Sequence, residues 1–266
     1  MVDAIVPVRT EALDLVDEGQ GASAAPTSSV GRLLGWVRAE AASVWGVRPS
    51  LAEAILVVPL AGTLALVPIR LVPGDFDFLT KEDSILEWAQ FAFYVLAAAG
   101  AAMVARSLKA SGTRGPAVAY VLLALGAFVV AGEEISWGQR IFGWGTPGEL
   151  HEINVQDETT VHNISAVGLA FRLGYLVLGL YGSVVAWIVR RRVDNWQRER
   201  VNLLVPPLFL GGAFFVLFGH RLAHFLGVRG YTYHRSGEWA ELCFSFALAA
   251  FVYLSWRRLR SQAGSN

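Results

Sequence analysis

Long apolar stretches alternate with short polar ones along most of this chain. A membrane-spanning helix needs about 20 mostly apolar residues, and six stretches come close to or exceed that length: residues 51–72, 85–104, 117–136, 166–189, 201–224 and 239–256. Apolar runs of this length are typical of membrane helices. The pattern therefore predicts an all-α fold, a polytopic membrane bundle of six transmembrane helices.

The regions around these stretches predict a simple domain organisation. Residues 1–30 are rich in Ala, Ser, Thr and acidic groups, which predicts a disordered cytoplasmic tail. Residues 31–50 combine tryptophans with arginines, which favours either an amphipathic segment lying in the membrane interface or an ordinary basic flank. Residues 51–258 then form the six-helix transmembrane domain, and residues 259–266 form a second cytoplasmic tail.

Composition excludes some classes of protein, and the positions of the basic residues predict the orientation of the chain in the membrane. Hydrophobic residues make up 54% of the chain and charged residues 17%, a mixture that excludes most water-soluble enzymes. The 22 basic residues balance the 22 acidic ones, so no bulk charge draws the chain to nucleic acid. Most basic residues lie before the first stretch and after the second, fourth and sixth. Because cytoplasmic loops retain Lys and Arg, both termini are predicted to be cytoplasmic.

Ionisable residues in and beside the predicted spans group at one depth, within about 10 Å of the outer helix ends at 1.5 Å per residue. A charge at a helix centre costs about 3 kcal/mol on insertion scales, so this layer needs partners. Neither Arg140 nor Arg172 has a carboxylate three or four positions away. The partners must therefore come from neighbouring helices, a bound ion or a ligand. The layer consists of Glu87, Glu133, Glu134, His220, Arg221, Glu238 and Glu241.

Histidines and glutamates in this layer suggest a metal site. His220 and His224 stand at i and i+4, a spacing that lets two imidazoles reach one metal ion. Glu238 and Glu241 open the next span at a matching depth, and His162 offers a third nitrogen. Such a set suits a divalent transition metal such as zinc. The alternative is that these side chains only solvate the membrane interface.

The densest polar segment begins with the consecutive acids Glu133 and Glu134. Both are candidate catalytic residues, one as a structural partner and the other as a general base. On a continuous helix Glu133, Trp137 and Arg140 share one face, while Glu134 points about 100° away. The alternative is a buried salt-bridge lattice that fixes helix packing. Candidate substrate-binding residues, including an anchor for an anionic head group, are Arg140, Arg172, Arg221 and Trp137.

The run Gly-Glu-Glu-Ile-Ser-Trp-Gly-Gln-Arg at 132–140, followed by Asn-x-Gln-x-Glu-Thr-x-x-His-Asn at 154–163, resembles a family of bacterial multi-pass membrane proteins with no assigned activity. This resemblance implies the bacterial cytoplasmic (inner) membrane as the location. A looser similarity is to CAAX-protease-like membrane hydrolases, which place a Glu and a His around an attacking water. Gly138 and Val216 stand where that family has arginine and phenylalanine. Ceramidase-like hydrolases are similar in carrying histidine zinc ligands, but on seven helices.

These features lead to one functional hypothesis with two alternatives. The hypothesis is a metal-dependent hydrolase or transferase that acts on a lipid or lipid-linked substrate in the bilayer, with a polar pocket at the outer leaflet. The first alternative is a non-enzymatic scaffold or assembly protein whose ionic layer specifies helix pairing. The second is a transporter, which the near-absence of charge in the inner halves of the spans disfavours.

Overall fold

Helices account for nearly all of the residues that the structure describes. The structure is a computed structural model that describes residues 28–69, 84–146, 148, 159–161, 164–192 and 198–263. Within these ranges it is all-helical, and six helical segments are long and apolar enough to cross a membrane. The predicted fold class and the number of spans are therefore confirmed. The six segments are Pro49–Pro68, Ile85–Ala110, Arg114–Glu134, Ala166–Arg192, Glu199–Phe225 and Tyr231–Ala263.

Several spans are built from more than one helical piece. A π-helical turn, Tyr181–Val185, joins two α-helices into the fourth span, and a 3₁₀ turn, Leu208–Leu210, does the same in the fifth. A further 3₁₀ turn, Ser136–Gly138, follows the third span. The α-helices of the described ranges, numbered in chain order, are α1 (Ser29–Ser43), α2 (Pro49–Ile69), α3 (Ile85–Ala110), α4 (Arg114–Glu134), α5 (Gln139–Phe142), α6 (Ser165–Leu180), α7 (Ala186–Arg192), α8 (Arg198–Leu204), α9 (Gly211–Phe225) and α10 (Tyr231–Ala263).

The observed helices differ from the predicted segments mainly at their ends. Helix α10 begins eight residues before the predicted sixth span and continues to Ala263, so the predicted tail at 259–266 starts inside a helix. Helix α1 occupies much of the predicted interfacial segment. Residues 1–27 of the predicted N-terminal tail lie outside the described residues. Residues Val37–Asn266 form one compact unit.

Helices α9 and α10 form the interior of this unit. Helix α10 packs against α3, α9 and α2, while α9 packs against α6, α10 and α2. Close approach depends on small residues, as is usual for helices in a bilayer. A Cβ at Gly212 would lie 2.0 Å from the carbonyl oxygen of Leu56, and one at Gly179 would lie 2.8 Å from the amide nitrogen of Phe218. Glycine is therefore required where α9 meets α2 and α6.

The outer faces of the bundle are apolar. Large side chains such as Leu64, 72% exposed, and Leu122, 64% exposed, project from α2 and α4. Soluble monomers seldom expose apolar surface on this scale. Together with the six spans, these faces identify a multi-pass membrane protein surrounded by lipid.

An ion pair joins the end of α1 to the end of α7. Arg190, near the end of α7, lies 2.6 Å from the Glu40 carboxylate and also donates to the side chain of Asn202 and to the carbonyl of Pro206. The main-chain amide of Leu208 donates to the same carboxylate at 2.7 Å. Burial raises the pKa of Glu40, and the nearby guanidinium and amide offset part of that rise. These contacts hold the turn between α8 and α9 in place.

Candidate functional site

Polar side chains from five helices are grouped at the opposite end of the bundle from Arg190. They come from α3, α4, α6, α9 and α10, and most of them lie within two or three turns of the helix end on that side. Five of them belong to the layer of charges that the sequence places at one depth, and two of these five, Arg221 and Glu241, are in direct contact. We call this group the polar cluster; its members are Gln90, Tyr94, Glu134, Tyr175, His220, Arg221, Glu238 and Glu241.

An ion pair between α9 and α10 lies at the centre of the polar cluster. The Arg221 guanidinium donates to the Glu241 carboxylate, and Arg221 is only 9% exposed. The guanidinium carbon also lies 5.3 Å from the ring centroid of Tyr175, in a cation–π contact from α6. Helix α9, which carries Arg221, contains no acidic residue. The partner of Arg221 therefore has to come from a neighbouring helix, and it does.

Gln90 connects Glu238 to α3. Its side chain is 0% exposed, and its amide donates to both the main-chain oxygen and the carboxylate of Glu238, each at 3.1 Å. Gln90 was not among the residues predicted from the sequence. The signal was present, because Glu87, Gln90 and Tyr94 recur at i, i+3 and i+7 and so share one face of an otherwise apolar helix.

Two buried tyrosines lie near the carboxylates of Glu134 and Glu241. The hydroxyl oxygens of Tyr94 and Tyr175 are 3.3 Å apart, and both side chains are buried. Glu134 and Glu241 are close enough to both phenols to act on them electrostatically. Neither tyrosine was predicted as a site residue, because a tyrosine inside a membrane helix is usually a packing residue. Here the hydroxyls add proton donors and acceptors to the polar cluster.

The helix that carries Glu133 and Glu134 ends abruptly. Ser136 and Trp137 have φ values of 48° and 53°, left-handed conformations that non-glycine residues seldom adopt, and Gly138 follows with a φ of 92°. The chain therefore turns back, and the Trp137 indole packs over Gly132, where a Cβ would lie 2.9 Å from the ring. The common helix face predicted for Glu133, Trp137 and Arg140 does not form. The side chain of Arg140 lies outside the described residues.

Glu133 holds this turn together. Its buried carboxylate accepts a hydrogen bond from the Trp137 indole at 2.6 Å and one from the main-chain amide of Val161 at 2.8 Å. Gln139 acts in a similar way, since its side-chain oxygen accepts from the Thr159 amide at 2.6 Å. The two side chains tie residues 159–161 to the end of α4.

Glu134 has different surroundings from Glu133, as the sequence predicts. It lines a narrow cleft together with Glu87, Trp88 and Ile135. The cleft has no room for a water molecule, and Trp88 at its edge is 44% exposed. Glu134 itself is half-buried, so part of this residue is open to its surroundings.

The two histidines of α9 pack against Tyr233 on α10. The Nε2 atom of His220 lies 3.0 Å from the Tyr233 carbonyl oxygen, so this nitrogen carries the hydrogen. The rings of His220 and Tyr233 are stacked, 4.4 Å apart and 4° from parallel. The ring of His224 lies 6.4 Å from that of Tyr233 and 6.4 Å from that of His234. His220 also lies over Gly237, close to Glu241.

The metal site predicted from the sequence has no further support. Three of its candidate ligands have protein partners: His220 bonds to Tyr233, Glu238 to Gln90, and Glu241 to Arg221. No group of three or more His, Cys, Asp or Glu side chains positioned to hold a metal ion occurs among the described residues. Two candidate nitrogen donors remain: His224, which lies beside Tyr233 and His234, and His162, which lies outside the described residues. The metal site stays a prediction.

Arg172, the predicted anchor for an anionic head group, lies in α6 and is half-buried. Its Nε atom is buried and has no hydrogen-bond partner within the described part of the chain. The guanidinium is close enough to His224 to act on it electrostatically. The structure thus places Arg172 near α9, whereas Arg221 is paired inside the polar cluster.

Comparison with known protein families, curated proteins and solved structures finds no match to this chain. The resemblance noted from the motif at 132–140 and 154–163 therefore stays an expectation. Much of the second half of that motif, including His162, lies outside the described residues. The function has to be inferred from the contacts of the polar cluster and its surroundings.

Proposed function

We propose that this protein is a membrane-embedded hydrolase or transferase that acts on a lipid or lipid-linked substrate at the polar cluster. The observation that carries the proposal is the meeting of Glu134, Glu238 and Glu241 with one guanidinium and two phenols among apolar helices. Charged groups in membrane helices are costly and usually serve a function. Carboxylates beside phenols are suited to general acid–base chemistry.

Glu134 is the general base in this proposal, and Glu133 is a positioning residue. Glu133 is committed to the Trp137 indole and the Val161 amide. Glu134 instead lies in the cleft edged by Trp88. A general base has to reach the proton that it abstracts, which suits the carboxylate that borders a cleft.

The place of the polar cluster supports a substrate that lies in the membrane. The cluster is within a few turns of one end of the bundle, which corresponds to the level of lipid head groups. We assign this end to the outer leaflet of the bacterial inner membrane, with both termini cytoplasmic, because basic residues concentrate at the other end. A metal-dependent form of the reaction, with His162, His220 and His224 as ligands, rests on the sequence.

The proposal is tested with purified protein in lipid nanodiscs that contain a bacterial lipid extract. Mass spectrometry follows lipid turnover by the wild type, by Glu134→Gln and by the matched control Glu53→Gln, which changes a carboxylate at the other end of the bundle. Loss of a general base lowers rates by about 10²–10⁴-fold, so Glu134→Gln should be almost inactive. Glu53→Gln should keep the wild-type rate.

The interhelical Arg221–Glu241 ion pair also suits a scaffold, because such a pair can specify which helices associate. The two functions differ in what Glu134→Gln does. If this variant unfolds more readily and the wild type turns over no lipid, the scaffold is the correct function. If the variant folds normally and loses turnover, the enzyme is.

A further inference from the structure

Basic side chains gather beside the polar cluster, at the end of α9 and the start of α10. The ring centroids of His224 and His234 are 6.4 Å apart, and the Arg229 guanidinium donates to the main-chain oxygen of His224 at 2.5 Å. Arg172 of α6 and Arg229 are both close enough to act on His224 electrostatically. We call Arg172, His224, Arg229 and His234 the basic cluster.

The positive charges of the basic cluster are not balanced by carboxylates within the described part of the chain. Among the described residues, the groups that act on His224 electrostatically are all basic, and only Arg221 of these is paired, through Glu241. Within the described ranges, no ion pair joins Arg172, Arg229 or His234 to a carboxylate. Basic groups held together without counter-charges repel one another, and a bound anion would remove that repulsion.

Arg172 provides a second, independent indication of a ligand. Its Nε atom is buried and lacks a hydrogen-bond partner among the described residues. Buried donors are nearly always satisfied in folded proteins, so an unsatisfied guanidinium nitrogen points to a missing acceptor. Guanidinium groups bind phosphate oxygens with two parallel hydrogen bonds, which makes phosphate the anion that best fits Arg172 and Arg229.

The loop that carries Arg229 indicates that this phosphate belongs to a lipid. Leu226 is 75% exposed and Val228 is 45% exposed, so exposed apolar side chains directly precede the arginine at the end of a membrane span. Such side chains contact the acyl region, while a basic residue beside them reaches the head group. A site of this kind faces the bilayer surface.

We propose that the basic cluster binds the phosphate group of an anionic lipid. The binding of the phosphate does not depend on the proposed function. The further step, that a phosphate-bearing lipid is the substrate, rests on the proposed function. The phosphate would be held by Arg172 and Arg229, with His224 and His234 adding N–H donors.

Binding is tested by native mass spectrometry of the protein from phosphatidylcholine nanodiscs that contain a minor fraction of phosphatidic acid. The wild type should retain phosphatidic acid in preference to phosphatidylcholine. Loss of a hydrogen bond to a charged group lowers affinity about tenfold or more, which is the expected effect of Arg172→Gln. Arg106→Gln, which removes an arginine from α3 toward the other end of the bundle, is the matched control and should bind as the wild type does.

A second variant distinguishes the loss of phosphate binding from the loss of folding. Arg229 is exposed and lies between the fifth and sixth spans, so Arg229→Gln should fold normally and still weaken binding. Inorganic phosphate added to nanodiscs of phosphatidylcholine alone tests the free anion as the source of the phosphate. Binding of either phosphatidic acid or inorganic phosphate that depends on Arg172 and Arg229 supports the site. No preference for either ligand over phosphatidylcholine, or equal binding by all variants, would overturn it.

The Glu134→Gln variant separates this inference from the proposed function. It should retain phosphatidic acid as the wild type does, because Glu134 is not part of the basic cluster. Normal binding without turnover by the wild type would refute the proposed reaction and leave the phosphate site standing. Turnover by the wild type, with no selective binding of phosphatidic acid or inorganic phosphate, would refute the site and leave the reaction standing.

Discussion

Replacement of Glu133 by glutamine tests whether this acid is structural. The carboxylate is 3% exposed and accepts hydrogen bonds from the Trp137 indole and the Val161 amide. Glutamine has a single acceptor oxygen, so one of these donors would face an amide NH₂ group instead. A hydrogen bond to a charged group contributes about 1.5–3 kcal/mol, so Glu133→Gln should lower the free energy of unfolding by about 2–3 kcal/mol.

The assay is thermal or denaturant unfolding in a mild detergent, compared with Glu134→Gln. At about 2–4 °C per kcal/mol for a chain of this size, Glu133→Gln should lower Tm by about 4–12 °C. Glu134 is less buried, and its replacement should cost under about 1 kcal/mol.

A double-mutant cycle with Trp137→Phe isolates the indole hydrogen bond, because phenylalanine keeps an aromatic ring and removes the N–H. The two changes should be non-additive by about 1 kcal/mol. Additive effects, or a Glu133→Gln protein as stable as the wild type, would refute the assignment of Glu133 as a positioning residue.

Four other predictions concern the ion pairs, the topology and metal content. Glu241→Gln should destabilise the protein by about 3–5 kcal/mol because it leaves Arg221 buried and unpaired. The double change Glu241→Leu and Arg221→Met should cost much less, because it removes both charges. Equal losses of unfolding free energy for the two variants in detergent would contradict this. Burial raises the pKa of Glu40 above its ordinary value of 4.5, so the folded protein is destabilised when this carboxyl loses its proton. The unfolding free energy of the wild type minus that of Glu40→Gln should therefore fall as the pH rises through and above 4.5. A difference that stays constant with pH would contradict this. A cysteine introduced at Glu152, in a chain whose native Cys243 is buried, should react with an impermeant probe from outside; protection would reverse the orientation. The sequence predicts about one divalent transition metal per chain, and metal analysis that finds none after reloading would remove the metal-dependent form.

The number of membrane helices was predictable because it depends on local apolarity. A stretch of about 20 apolar residues has few stable alternatives to a spanning helix, whatever its neighbours are. The helix ends were less predictable. The end of α4 at Glu134 depends on left-handed conformations at Ser136 and Trp137, and neither residue type favours them. The indole contact with Glu133 and the room over Gly132 stabilise that turn, and both arise only in the folded chain.

The candidate site was predictable in its charges and not in its contacts. Burial in a bilayer makes every carboxylate and guanidinium conspicuous, which is why Glu134, Arg221 and Glu241 were identified. Neutral polar residues carry no such signal, and Gln90 and Tyr175 become site residues only because helix packing brings them to Glu238 and Arg221. Which acid pairs with which base likewise depends on helix rotation, which the sequence does not determine.

The most direct test of the proposed reaction compares the lipids of membranes that contain equal amounts of the wild type or of Glu134→Gln. Mass spectrometry of both membranes, and of membranes without the protein, measures each lipid and lipid-linked species. We expect that the wild type alone depletes at least one phosphate-bearing species and accumulates its product. Identical lipid compositions in all three membranes would contradict it.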